Sequence, residues 1–478
     1  MLQAHKKRGF WLGLILFFSI ILSPHPTSIP VAGWYVLASA VLMAVWWGTE
    51  AIPLPITALL PLILFPSFNI GSFQEIASPY ANQNIYLFLG GFILALAIES
   101  SNLHRRLALN ILCRVGLTGA NLVAAFMFIS AMISMWIINT ATTLMLLPIA
   151  LAISKSVLEM VTESNTTNKK NFEIALLLGI AYAATIGGMA TLVGTAPNII
   201  FAGFMQETYN IQISFFDWMK IGLPISLVML ITAWFILTHL IYPIKIKLDT
   251  QLREKLKQML QAQGKMTADE KKVLIIFLFT ASAWIFRSQL NQLPFFSGLT
   301  DAGIAIMAAV SFFIIPSQNK STELLIWEQA KNLPWGLLLL FGGGLSLASA
   351  IISSGLGAWL GSSLTFLSTA PTIVLLLVIV IAIVFLTEIT SNTATTVTFL
   401  PIAAAVAVSV GANQNILTLA VVLAASCAFM LPVATPPNAV IFGSGRLEIK
   451  HMIRAGIFIN LAGIIIITLM IYLTTPNF

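Results

Sequence analysis

The feature that most limits what this chain can fold into is the length of its uncharged apolar runs. The stretch from Ile373 to Leu386 holds no charged side chain, and similar runs recur from the N-terminus to the C-terminus. Such runs are not amphipathic, so they cannot cover one side of a soluble core; they are read as membrane-crossing segments. Composition agrees: 58% of residues are hydrophobic and 9% charged, where a soluble domain carries about 25% charged residues. A soluble enzyme, a nucleic-acid binder and a disordered chain are therefore excluded, despite a net charge of +7. Cys113 and Cys427 sit in apolar surroundings and suggest neither a disulfide framework nor a metal site.

Eleven crossings are predicted, at about 10–23, 31–49, 53–68, 84–101, 173–205, 218–242, 271–290, 301–316, 334–353, 414–445 and 454–474. Two further apolar blocks, 119–160 and 371–411, are too long for one helix. With Lys6, Lys7 and Arg8 in the cytoplasm, every basic residue except Lys220 and Arg287 falls on the cytoplasmic side, as the positive-inside rule requires. That count holds only if each extra block enters and leaves by the same face. The C-terminus then lies outside. The first run, Phe10 to Leu22, is short like a signal-peptide core. Ser23-Pro24-His25-Pro26 follows it instead of a cleavage site, so it reads as a retained helix. The mixed charges of 245–272 predict a cytoplasmic linker with an amphipathic helix, joining a first half (1–244) to a second half (273–478). Short loops favour a bacterial inner membrane.

The halves repeat. Gly90-Gly91 echoes Gly343-Gly344, Asn139-Thr140-Ala141-Thr142-Thr143 echoes Asn392-Thr393-Ala394-Thr395-Thr396, and Pro148 echoes Pro401, all at an offset of 253. Thr195-Ala196-Pro197-Asn198 echoes Thr435-Pro436-Pro437-Asn438 at 240, because the polar loop Thr162 to Asn171 is replaced by the shorter Gly411 to Asn415. The topology places the mouth of the first block inside and that of the second outside, so the repeats are inverted. Secondary transporters use that arrangement, with the site at the repeat interface. The paired glycines read as close helix packing.

Each block carries Asn-Thr at its centre, which predicts two re-entrant hairpins with polar tips at membrane depth. Irregular backbone there is tolerated only where it lines a cavity or is buried in protein. Gly187-Gly188, Gly194 and Pro197, like Pro432, Pro436 and Pro437, interrupt apolar runs and free backbone groups. Freed carbonyls with Asn and Ser/Thr oxygens suit sodium; half-helix N-termini with hydroxyls and amides suit an anion. No Lys or Arg lies in these segments. An anion site without fixed cations needs a bound cation beside it, which is a physical reason for coupling.

The run Trp46-Trp47-Gly48-Thr49-Glu50-Ala51-Ile52-Pro53-Leu54-Pro55, the two Asn-Thr tips and the two Pro-Asn turns resemble the divalent-anion/sodium symporter family, over nearly the whole chain. The resemblance implies an all-α polytopic membrane protein that works as an elevator: a homodimer with scaffold and transport domains, the latter holding both hairpins. It implies transport of a divalent anion, with sodium as coupling ion. Ser134, Asn139 and Gly194 would hold one sodium ion, with the Ile138 carbonyl. Thr387, Ser391, Asn392 and Ala434 would hold the other. Asn139, Thr140, Thr195, Asn392, Thr393, Thr435 and Pro436 would face the anion. The family's tips usually read Ser-Asn-Thr; the first here reads Ile138-Asn139-Thr140, which removes one hydroxyl and leaves the sodium stoichiometry open. Family frequency alone favours a C4-dicarboxylate such as succinate over citrate or sulfate.

Sodium-independent anion exchange stays open as the alternative, since the first tip lacks its serine. An intramembrane enzyme would need a nucleophile–base pair or metal ligands at depth, and no histidine lies near the tips. No nucleotide-binding glycine loop occurs either. Glu50 and Glu388 are ionisable groups at membrane segments and so are functional candidates, weighed against an interfacial place for Glu50 and a structural pairing for Glu388. His104 is expected at the headgroups, and Trp34, Trp46, Trp47 and Trp335 in interfacial belts. Ser164-Asn165-Thr166 matches the tip motif but lies among Glu163, Lys169 and Lys170, and reads as solvated linker.

Overall fold

A computed structural model describes residues 2–114, 116, 118–160, 166–246, 250–318, 322–363 and 370–474. Ser164 and Asn165 of the linker motif, Asp249 and Lys320 lie outside the described residues. Those described are helical throughout the apolar runs, with one isolated bridge between Pro316 and Glu323 and no strand. Lipid offers the backbone no hydrogen bonds, so each apolar run satisfies its own. Among the described residues eight helices are long and apolar enough to cross a membrane, and shorter apolar helices accompany them. The chain is thus an all-α polytopic membrane protein.

The run near 53–68 is split into Leu54–Thr57 and Leu60–Ser67, with Pro53, Pro55 and Pro61 at or beside the breaks. The linker holds the helix Thr250–Ala262, which buries Leu256 and exposes Arg253 and Glu254. The next apolar helix starts at Ala268, three residues before the predicted 271. Thr267 and Glu270 form a capping box there, which stops two orphan N–H groups from fraying the first turn.

Both extra blocks are helical hairpins. The first pairs Gly119–Ser134 with Asn139–Met160, and the second pairs Thr372–Thr387 with Asn392–Ser409. Two broken helices accompany them. Thr166–Gly188 resumes as Ala196–Tyr209, and Gln414–Ala425 resumes as Pro436–Gly443. The pieces interlock across the halves. Ala196–Tyr209 packs on the second arm of the second hairpin, and Pro436–Gly443 packs on the second arm of the first.

Close packing explains the glycine pairs. A methyl on Gly90 would lie 2.5 Å from Ala305 Cβ, and one on Gly343 would lie 2.7 Å from Ala58 Cα. Three other expectations are corrected. Trp46 and Trp47 are 7% and 1% exposed, not interfacial. Their indole N–H groups donate to Phe10 O and Leu54 O, each at 3.2 Å, which lets the whole ring leave water. His104 is 7% exposed, with Nδ1 3.2 Å from Ile98 O; a helix carbonyl, not a headgroup, is its partner.

Candidate functional site

The two tips and the two breaks meet at one cavity of about 840 Å³. Ile138, Asn139 and Thr140 line it from the first tip; Ser391, Asn392 and Thr393 line it from the second. Gly194 and Thr195 enter from the first break, and Ala434, Thr435 and Pro436 from the second. All the residues that the sequence assigns to sodium or to the anion line the cavity except Ser134 and Thr387. Each of these two is fully buried and bonded to the asparagine five residues on.

Four helices begin at this cavity, at Asn139, Ala196, Asn392 and Pro436. At Asn139 and Asn392 the first N–H groups have no helical acceptor; at Ala196 and Pro436 prolines in the first turn remove some of those donors, and all four dipoles carry a partial positive charge at this end. The tips and breaks therefore suit an anion without a basic side chain among them.

The oxygens beneath the tips suit a cation. One terminal atom of the Asn139 amide lies 2.7 Å from Ser134 Oγ, 3.2 Å from Gly194 O and 3.2 Å from Ala184 O. As nitrogen it has two hydrogens to share among the three. As oxygen it completes a cluster of four oxygens, a donor set that suits a small cation. In the second half, Thr387 Oγ1 lies 2.8 Å from Asn392 Oδ1 and 2.9 Å from Ala425 O. One hydroxyl hydrogen cannot satisfy both, so this triad too has a lone pair to spare for a cation.

Side chains near the breaks tie down other carbonyls that the breaks set free. Asn198 Nδ2 donates to Gly188 O at 3.0 Å and Thr191 O at 2.7 Å; Asn438 Nδ2 donates to Ala428 O and Leu431 O at 3.1 Å each. These are matched positions at the offset of 240. Thr191 Oγ1 donates to Met135 O at 2.5 Å and accepts from Gly194 N at 3.1 Å, tying the first tip to the first break.

Sequence reasoning missed part of the wall. Lys6, Thr49, Phe88, Phe92 and Thr390 also line the cavity. Lys6 Nζ lies 3.4 Å from Glu50, which itself lines the cavity. Glu50 has a left-handed φ of 47°, a conformation that a non-glycine side chain adopts at a cost and that marks it for attention. Only the motif that contains Glu50 pointed this way; nothing in the sequence ties Lys6 to it. Glu388 does not line the cavity.

A polytopic helical protein in which an anion-suited wall overlies two cation-suited oxygen clusters is a membrane carrier, and comparison gives its family. The chain belongs to the sodium:sulfate symporter family, whose transmembrane region matches residues 5–475. That is the divalent-anion/sodium symporter family expected from the tips and turns. The chain is 42% identical over 472 residues to the sodium-dependent dicarboxylate transporter SdcS of Staphylococcus saprophyticus, covering 98% of this chain and 91% of that one. It is 43% identical over 479 residues to the SdcS of Staphylococcus aureus strain USA300, covering 99% and 92%. Among solved structures it is similar to the Alcanivorax borkumensis YdaH transporter, with a TM-score of 0.57, 14% identity and coverage of 99% and 97%. That likeness speaks to the fold alone.

Proposed function

We propose that this chain is a sodium-coupled symporter of a C4-dicarboxylate such as succinate. The observation that carries the proposal is the set of relatives 42–43% identical across nearly the full chain and named sodium-dependent dicarboxylate transporters. The cavity supports the same reading, because it offers hydroxyls, amides and helix N-termini above two neutral oxygen clusters.

In this reading Ser134, Asn139 and Gly194 hold one sodium ion, with the Ile138 carbonyl beside them. Thr387, Ser391, Asn392 and Ala434 hold the second. Thr140, Thr195, Thr393, Thr435 and Pro436 face the carboxylates, with Asn139 and Asn392 shared between ion and anion. Sodium arrives first, since a dianion entering between tips and breaks that hold no fixed cation would pay a large desolvation cost alone, and Lys6 on the cavity wall is already paired with Glu50. Each bound sodium lowers that cost, and that coupling free energy is reciprocal.

The hairpins and broken helices form a transport domain that slides against a scaffold in a homodimer. The two halves are inverted repeats, 1–244 and 273–478, joined by the linker 245–272. With the N-terminus in the cytoplasm of a bacterial cell and the C-terminus outside, the cavity and its Lys6–Glu50 pair face inward. The test is uptake of labelled succinate into proteoliposomes. Accumulation is expected only with an inward sodium gradient. Exchange against internal succinate without sodium would refute symport, and uptake of sulfate in place of succinate would refute the substrate class.

A further inference from the structure

Glu388 stands directly after Thr387 at the second tip and is 3% exposed. Its carboxylate faces donors only. Oε1 accepts from Phe429 N at 2.7 Å, Met430 N at 2.9 Å and Asn460 Nδ2 at 2.6 Å; Oε2 accepts from Leu431 N at 3.0 Å. Four donors and no acceptor are what an ionised carboxylate requires when it leaves water.

The first half is built differently at the matched place. Met135 stands where Glu388 stands, 253 residues earlier, and brings no charge. The matched amides close on their own helix: Met189 N donates to Ile186 O at 3.2 Å, and Ala190 N to Gly187 O at 3.0 Å. The helix there runs to Gly188, which corresponds to Ala428, whereas the second helix stops at Ala425. The second break is thus opened three residues wider. The freed amides of 429–431 are the ones Glu388 takes up. The same tip contacts the end of that helix through Thr387 Oγ1 and Ala425 O, at 2.9 Å.

We infer that Glu388 is a positioning residue for the second sodium site alone, so the two sodium ions bind unequally, the tighter one in the second half. Its carboxylate clamps the widened break against the tip, which sets Thr387, Asn392 and the Ala425 carbonyl at fixed spacing. It also leaves a buried negative charge next to that cluster, and among the described residues nothing equivalent stands beside Asn139. The inference rests on the sodium-symport reading above.

The experiment is a sodium titration of succinate uptake by the full-length protein in proteoliposomes, for wild type, Glu388→Gln, Glu388→Asp and Asn460→Leu. Glu388→Gln keeps the shape, removes the charge and turns one acceptor into a donor against donors. It is expected to turn the second site from the tighter of the two into the weaker, limiting one, and so to raise the sodium half-saturation concentration by about tenfold, with the succinate KM at saturating sodium near the wild-type value. Glu388→Asp keeps the charge but not the reach, and should fall between. Asn460→Leu removes one donor in four; it tests the same clamp should Glu388→Gln fail to fold, and should shift sodium dependence in the same direction by less. A lower maximal rate with wild-type sodium dependence in these variants would make Glu388 a structural residue only and overturn the inference. A wild-type protein whose uptake ignores sodium would overturn the symport reading itself, and this inference with it.

Discussion

Gly188→Ala is the sharpest probe of the first oxygen cluster. Gly188 ends the inner arm of the first broken helix, and a methyl there would lie 2.6 Å from Asn139 Oδ1 and 3.1 Å from Gly194 O. Ordinary contact begins at 3.4 Å, so the Asn139 amide must retreat by about 0.8 Å. Oxygen ligands of a hard cation sit within a band of only about 0.3 Å, so that retreat takes one ligand out of the shell and leans on a second. Losing a neutral ligand in a buried site costs about 1–3 kcal/mol, which is about a tenfold to hundredfold loss of sodium affinity. Helix propensity favours alanine over glycine by up to about 1 kcal/mol, so the protein should still fold. The matched residue Ala428 already carries a methyl, in the wider second break, so the effect belongs to the first cluster. The assay is a sodium titration of succinate uptake in proteoliposomes, after gel filtration shows a monodisperse protein. A half-saturation concentration equal to that of wild type would refute the placing of a sodium ion between Asn139, Ser134 and Gly194.

Other substitutions test the remaining parts. Asn139→Ala and Asn392→Ala should each abolish uptake while leaving a well-folded protein, because each removes an amide that the proposal assigns to both ion and anion; near-normal transport by either would count against the site. Ile138→Ser restores the hydroxyl found in the second tip at Ser391 and should lower the sodium concentration at half-saturation; an unchanged or weaker response would show that this position does not shape the cation site. Thr191→Val removes the bond to Met135 O and the acceptor of Gly194 N. It should lower thermal stability by about 1–3 kcal/mol and weaken the sodium response several-fold, and a melting curve and sodium response like those of wild type would refute the role given to this bridge.

Much of this site could be read from the sequence because its parts are local and repeated. An Asn-Thr pair inside an apolar block has few physical outcomes other than a buried tip, and a Pro-Asn turn inside an apolar run few other than a break. Two matched copies fix the pairing of tips with breaks. The cavity gathers Asn139, Thr140, Thr195, Asn392, Thr393 and Thr435 accordingly. What escaped depends on contacts between distant segments. Lys6 meets Glu50 across 44 positions, and no local pattern encodes that distance. Trp46, Trp47 and His104 look interfacial by residue type but are buried, because carbonyls of Phe10, Leu54 and Ile98 take up their polar atoms. Glu388 was visible as a charge in an apolar block. Its partners, the amides of 429–431, carry no side-chain signature.

The central claim is that the cavity between the tips and the breaks is where sodium and the anion bind together. Val433 lines that cavity and is 76% exposed, so a thiol placed there reports its occupancy. With Cys113 replaced by serine and Cys427 buried, the rate at which a maleimide labels Val433→Cys in the purified protein is the measurement. The account predicts that succinate slows labelling in sodium and has no effect in choline. Equal protection in both salts, or none in either, would contradict it.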